Sequence, residues 1–282
     1  MTKRHGVWWE VGTTDVSTAF LNAWLKLDYL ILVWAPAVAA RAGATEAGEI
    51  WIVRKALYGL REAPRAWGDE RDLRLRPLRV TTVSMTYRFK QLVTDPSMWK
   101  IISTPAMVLL PLLEVRKSLV ALIDSFVGPK TEGFLITYVD DILVASTREV
   151  CESVISAVKA IWTCSDGECT YTTRDVTFCA LRITKFISGG YFLDQAPYTS
   201  DIIDRHDLQN PSKVPLSSDE CVLPEGHYLK AQEDEDNKAL AGLTPTQKAM
   251  DVNVKQAQSV AGEVLWCSGR TRLDIAYATS RC

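Results

Sequence analysis

The sequence predicts an α+β fold, a sheet of strand pairs with helices laid against one face. Three observations carry that expectation. Apolar runs rich in β-branched residues occur in pairs, most clearly Gly133 to Thr137 and Ile142 to Ala145, on either side of Tyr138-Val139-Asp140-Asp141. Longer helix-like stretches lie between the runs. Hydrophobic residues make up 47% of the 282, enough for a core in one large domain or two small ones.

The elements follow in order. A strand is expected at about 7–14, where Val7-Trp8-Trp9-Glu10-Val11 runs into Asp15. A helix is expected at about 16–26, then strands at 29–35 and 50–56. Pro64 suits the first turn of a helix over 64–76. A strand follows at 97–103. The stretch from Ser103 to Lys130 is apolar but carries Pro105 and Pro111 and reads as neither type. Strands at 132–138 and 142–146 form a hairpin with Asp140 and Asp141 at its tip, although the usual Asn-Gly or Asp-Gly is missing. Next come a helix at 148–162, strands at 176–184 and 190–194, and a helix at 197–206. Residues 208–250 are rich in Pro, Asp, Glu, Lys and Ser and read as a linker. A helix at 254–267 closes the chain.

Bulk chemistry narrows the function classes. The net charge is −2, which offers no general grip on a polyanion. The charge is uneven, however. Arg54 to Lys90 holds ten Lys or Arg against four Asp or Glu, and Ser217 to Lys238 holds seven acidic residues against two basic. The basic stretch suits phosphates or a solvated helix face, and the acidic one an exposed linker. No run of 18 or more apolar residues occurs, so no membrane span is expected. Seven irregularly spaced cysteines and no secretory leader predict reduced thiols in an intracellular protein, cytoplasmic or nuclear and not secreted. Cys164 and Cys169 lack a partnering Cys or His pair, which argues against a zinc site.

The adjacent aspartates carry the chemistry. Two carboxylates about 4 Å apart repel by roughly 4 kcal/mol at an effective dielectric near 20. A divalent cation removes that penalty, and hard oxygen ligands suit magnesium or manganese. Asp15, at a strand end, is a third carboxylate or simply a helix cap.

Asp15-Val16-Ser17-Thr18-Ala19-Phe20-Leu21-Asn22, then Leu57-Tyr58-Gly59-Leu60-Arg61-Glu62-Ala63-Pro64-Arg65-Ala66-Trp67, then Tyr138-Val139-Asp140-Asp141 together resemble the reverse transcriptase of copia-type LTR retrotransposons. Asp95 to Lys100, Phe178 to Ile183, Leu193 to Tyr198 and Thr271 to Ala278 agree in order with the same family. The resemblance implies a right-hand polymerase palm over 1–188, a thumb-like start over 189–207, an acidic linker over 208–250, and a helical segment over 251–282 that leads toward a missing RNase H domain. It implies an RNA-directed DNA polymerase from a Pol polyprotein, with a primed RNA or DNA template, dNTP and other Pol segments as partners.

The resemblance also assigns roles. Asp15, Asp140 and Asp141 would be catalytic and would hold two magnesium or manganese ions, with the Val16 carbonyl completing one coordination sphere. Nucleotidyl transfer would join a primer 3′-hydroxyl to the dNTP α-phosphate. Amides near Ala19 would receive triphosphate oxygens. Phe20 would crowd a ribose 2′-hydroxyl and so select dNTP. Arg61 and Glu62 would line the substrate site. Arg65, Phe178, Ala180 and Leu181 would touch primer and template. The residues alone also allow Phe20 as a core aromatic, Arg61 and Arg65 as surface charge, and Phe178 to Ile183 as an ordinary buried strand.

The chain departs from the family pattern at several positions. Glu62 stands where Gln is usual, and an ionised Glu repels phosphates rather than donating to a sugar. Ala180 replaces Gly, Cys179 replaces Leu, Leu273 replaces Pro and Ala23 replaces Gly. Only fourteen residues precede Asp15, so the fingers region is expected to be largely missing. A catalytically inactive relic that at most binds nucleic acid is the alternative, with a two-metal nuclease sharing only the carboxylates behind it.

Overall fold

The computed structural model describes residues 9–46, 48–83, 85–105, 130–209 and 245–281. Twelve strands are formed among them: β1 Glu10–Asp15, β2 Ile31–Trp34, β3 Ile50–Val53, β4 Arg79–Thr81, β5 Met85–Gln91, β6 Met98–Pro105, β7 Lys130–Tyr138, β8 Asp141–Ser146, β9 Glu168–Cys169, β10 Asp175–Phe178, β11 Leu181–Lys185 and β12 Tyr191–Asp194. The helices are α1 Ala37–Arg41, α2 Ala63–Leu75, α3 Arg148–Ile161, α4 Thr170–Thr173, α5 Ala196–Arg205, α6 Pro245–Ser268 and α7 Ala276–Arg281, with short 3₁₀ turns at Ala19–Asn22 and Leu273–Ile275. The protein is therefore a mixed α+β chain.

Its main sheet has seven antiparallel strands in the order β4-β5-β6-β7-β8-β1-β9. Alternation along the strands sorts its two faces. Tyr87, Phe89, Trp99, Ile101, Leu135, Ile142 and Val144 pack with helices α2 and α3 into the larger core. Helix α3 contributes Val150, Cys151, Val154, Ile155 and Val158, the i, i+4 stripe of an amphipathic helix. Helix α2 contributes Ala63, Trp67 and Leu75. On the opposite face Val11, Leu143 and Ala145 pack with Val176 and Ile183 of the three-stranded sheet β10-β11-β12. Both α2 and α3 thus lie on one face, as expected, and strands cover part of the other.

Backbone contacts divide the chain into two units. The first runs to Cys179 and includes Ile183–Phe192; the second comprises Ala180–Arg182 and the residues from Leu193 onward. The second unit is held by its own polar contacts. Glu263 on α6 receives Arg205 and His206, the latter at 2.9 Å, and Thr271 Oγ1 donates to Gln195 Oε1 at 2.8 Å.

Several local expectations require correction. The helix expected at 16–26 is a four-residue 3₁₀ turn, entered through Thr18 in the left-handed region at φ 50°. Strands β4 and β5 were not expected, because Arg79 to Gln91 carries so many charges; those charges sit on one face of a sheet whose other face is buried. The single strand expected at 176–184 is broken at Cys179 and Ala180, whose φ values of 50° and 61° make a two-residue turn. Helix α6 begins at Pro245, inside the expected linker, whose residues 210–244 lie outside the described set, as do 106–129 of the ambiguous apolar stretch. No disulfide joins the described cysteines. Among the described residues no helix is long and apolar enough to cross a membrane.

Candidate functional site

Asp15 ends β1 and Asp141 opens β8, and the two stand directly opposite in register. The Val16 amide donates to the Asp140 carbonyl at 3.0 Å, which extends the pairing one residue past the strand and brings Asp140 alongside. Of the three carboxylates expected to converge, Asp15 and Asp141 are paired across the sheet, and Asp140 is the residue next to Asp141 in the turn. Asp141 is not at the hairpin tip, however. Tyr138 pairs with Asp141, so the two-residue tip is Val139-Asp140.

The tip is strained and clamped. Val139 has φ 51°, a left-handed conformation in which a β-branched side chain is a real outlier. The indole Nε1 of Trp67 donates to its carbonyl at 2.6 Å. Trp67 is only 1% exposed and meets Trp162 edge-to-face with centroids 5.4 Å apart. One buried aromatic thus ties helix α2 to the loop that carries Asp140.

A second segment braces Asp15 from the other side. The Asp15 amide donates to Ser165 Oγ at 3.0 Å, and the Ser165 amide donates back to the Asp15 carbonyl at 2.9 Å. Val16 bridges Cys164. The following Gly167 has φ 77°, and a Cβ there would lie 2.6 Å from the Thr13 carbonyl oxygen, so the close approach needs glycine. Together these segments wall an open cleft of ≈ 460 Å³ lined by Asp15 and Asp141, by Asp166 and Glu168, and by the hydroxyls of Thr14 and Thr177 among others. Among the described residues the cleft lining includes no Lys or Arg.

The electrostatics follow from that composition. Burial, then the neighbouring Asp140 and Asp141 carboxylates, raises the Asp15 carboxyl above its ordinary value. Burial also raises that of Asp141, opposed by the Cys179 thiol, which donates to Asp141 Oδ2 at 3.5 Å. Hard carboxylate oxygens are a donor set that suits magnesium or manganese, and the Lys159 ammonium sits at the rim, donating to the Asp166 carbonyl at 2.6 Å. As the side chains stand, no group of three or more His, Cys, Asp or Glu among the described residues forms a metal cage.

The other expected site residues separate into distinct places. Val16 is buried beside Asp15. Ala19 is fully buried and heads the 3₁₀ turn, too short a helix to focus positive charge on a triphosphate. Phe20 belongs to the larger core and meets the Tyr58 ring with centroids 4.6 Å apart. Arg61, Glu62 and Arg65 line another cavity, of ≈ 580 Å³, with Trp24, Lys26 and Asp69. That cavity shares no lining residue with the carboxylate cleft. Glu62 accepts a 2.6 Å hydrogen bond from Tyr29, which holds its carboxyl below the usual range. Phe178 ends β10 and packs against the smaller core. Ala180 completes the turn begun by Cys179, and Leu181 opens β11.

Sequence reasoning missed Asp166, Glu168, Cys179 in its contact with Asp141, and the clamp by Trp67. Trp67 closes the Leu57 to Trp67 motif, so its presence was visible in the sequence and its partner was not. The Ser165-Asp166-Gly167 run carried only a turn signal.

The fold and site define an α+β protein with a paired-carboxylate cleft at the end of an antiparallel sheet. No protein-family model and no curated protein matches this chain.

Proposed function

We propose that the chain is a reverse-transcriptase palm that transfers nucleotides from dNTP to a primer 3′-hydroxyl on an RNA or DNA template. The observation that carries the reading is the direct register pairing of Asp15 with Asp141, beside Asp140, in an open acidic cleft. The reading also rests on the collinear motifs that resemble the copia-type family. Asp15, Asp140 and Asp141 are the residues that would hold divalent ions. Two such ions, when bound, would supply charge stabilisation at the attacking and leaving oxygens. The chain's own residues set the geometry: β1 and β8 fix Asp15 and Asp141, and Trp67 steadies the tip that presents Asp140. Arg61 and Arg65 would position phosphates from α2 and the loop before it.

Primer extension with magnesium on a primed template tests this. Template-dependent incorporation should fall in Asp15→Asn and Asp140→Asn by more than the ~10–100-fold typical of outer-shell ligand partners. Asp141→Asn should lose less. Absence of incorporation by the unaltered chain, or equal loss at all three positions, would contradict the assignment.

A second reading has one observation in its favour. Glu62, where the family uses Gln, is a half-buried carboxylate whose hydrogen bond from Tyr29 favours its ionised form. A negative charge there opposes a triphosphate, which favours a chain that binds nucleic acid without extending it. Salt-dependent binding without incorporation by the unaltered chain would support that reading.

A further inference from the structure

The register of β4, β5 and β6 places two like-charged pairs face to face. Arg79 stands directly opposite Arg88, and Lys90 directly opposite Lys100. Arg88 and Lys90 are two residues apart on β5, so all four side chains belong to one face of the sheet. It is the face away from α2 and α3, because the alternating residues Val80, Tyr87, Phe89, Trp99 and Ile101 are the ones buried in the larger core.

Like charges directly opposite in an antiparallel pair destabilise it. Both pairs carry that penalty, and among the described residues no ion pair offsets it. Arg88, Lys90 and Lys100 form no ion pair among the described residues, and Arg79 donates only to the carbonyls of Arg76 and Leu78. Glu132, at the irregularity between β6 and β7, is already engaged by Ser103 at 3.0 Å and Lys130 at 3.2 Å. Lys90 and Lys100 flank a groove of ≈ 260 Å³ that also includes Gln91 and Thr131. Thr81 and Thr86, paired in the same register, add exposed or half-exposed hydroxyls to that face.

We infer that this face binds the phosphate backbone of a nucleic-acid strand. The choice of nucleic acid rests on the reading given above; the need for a polyanion rests on the charge pairs alone. Four cations with adjacent hydroxyls are the groups that position phosphates without reading bases. The set is separate from the carboxylate cleft. Lys100 is two strands and four residues from Asp141, roughly 17 Å by strand geometry.

Anisotropy of a labelled oligo-dT, titrated against the full chain across a salt series, tests the inference. The Lys90→Gln/Lys100→Gln double variant should weaken binding by about five- to tenfold at low salt, uniformly across sequences. It should also lower the salt slope by about 1.4, or ~0.7 per lost contact on a single strand. Its melting temperature should equal or exceed that of the unaltered chain, which shows that it folds. Arg79→Gln/Arg88→Gln provides an independent pair. Unchanged affinity and slope in folded variants would overturn the inference, as would tighter binding of poly-glutamate than of the oligonucleotide. Nucleotide incorporation reports on the carboxylate cleft. A chain that extends no primer but loses DNA affinity on lysine replacement leaves this inference standing while the polymerase reading fails.

Discussion

The indole N–H of Trp67 donates to the Val139 carbonyl at 2.6 Å, across 72 residues of chain. This bond joins the single aromatic of α2 to the one strained residue of the β7–β8 tip. It links the core to the loop that presents Asp140, so core packing and site geometry are coupled there.

Removing the donor while keeping an aromatic ring isolates the bond. Trp67→Phe should lower stability by about 1–2 kcal/mol, from the lost hydrogen bond and the space left beside Trp162. Val139→Gly should act in the opposite direction. Relief of left-handed strain is worth ~1–2 kcal/mol, and the added freedom of the unfolded glycine removes ~0.4–1 kcal/mol. The net gain is about 0.5–1 kcal/mol, and it should persist in the double variant. Urea midpoints of the two single variants and the double variant check both signs; a destabilising Val139→Gly would contradict the strain.

Stability should fall as pH rises above the ordinary Asp value. Burial, then Asp140 and Asp141, raises the Asp15 carboxyl above 3.8, so the folded chain retains protons that the unfolded chain has released. The contribution is present below 3.8 and is lost as pH climbs through the raised folded value. Asp15→Asn should therefore stabilise the chain at neutral pH, by under about 1 kcal/mol because Asp15 stays partly open to solvent, which screens the effect. Magnesium or manganese should raise the melting temperature of the unaltered chain and do so less in Asp15→Asn. A melting series over pH and metal concentration reads both effects.

Phe20→Ala should destabilise the chain by about 3–4 kcal/mol, since Phe20 lies in the larger core. The sugar-discrimination role implied by resemblance is better tested from its neighbour. Tyr58→Ala alters the exposed ring against Phe20 and leaves the core residue in place. Unchanged ribonucleotide incorporation in Tyr58→Ala would argue against any sugar-sensing function of the pair.

Cys151 should resist alkylation in the native state. Burial pushes its thiol up to about 12, so almost no thiolate exists at pH 8. Mass spectrometry after iodoacetamide treatment should find Cys151 unmodified until denaturant is added. Rapid native labelling would mean that α3 opens locally.

Much of the sheet was legible in the sequence. The runs 132–138 and 142–146 alternate or continue as apolar residues, and a gap of only three residues leaves them little choice but to pair. Helix α3 was legible from its stripe at Val150, Val154 and Val158. Strands β4 and β5 were not. Arg79, Arg88 and Lys90 look solvated in a linear reading, and only the sheet shows that Val80, Tyr87 and Phe89 point the other way into the core. The 3₁₀ turn at Ala19–Asn22 was read as a longer helix because its apolar spacing fits either form.

By itself the sequence determined the strands flanking Asp15 and Asp141, helices α2 and α3, and which carboxylates stand near strand ends. Those properties depend on side-chain alternation and turn chemistry over a few neighbouring residues. Tertiary structure alone decided that Asp15 faces Asp141, that Trp67 reaches Val139, and that Asp166 and Glu168 wall the cleft. Each of those is a pairing between distant segments. Backbone hydrogen-bond register and core packing select such pairings, and no local pattern encodes them.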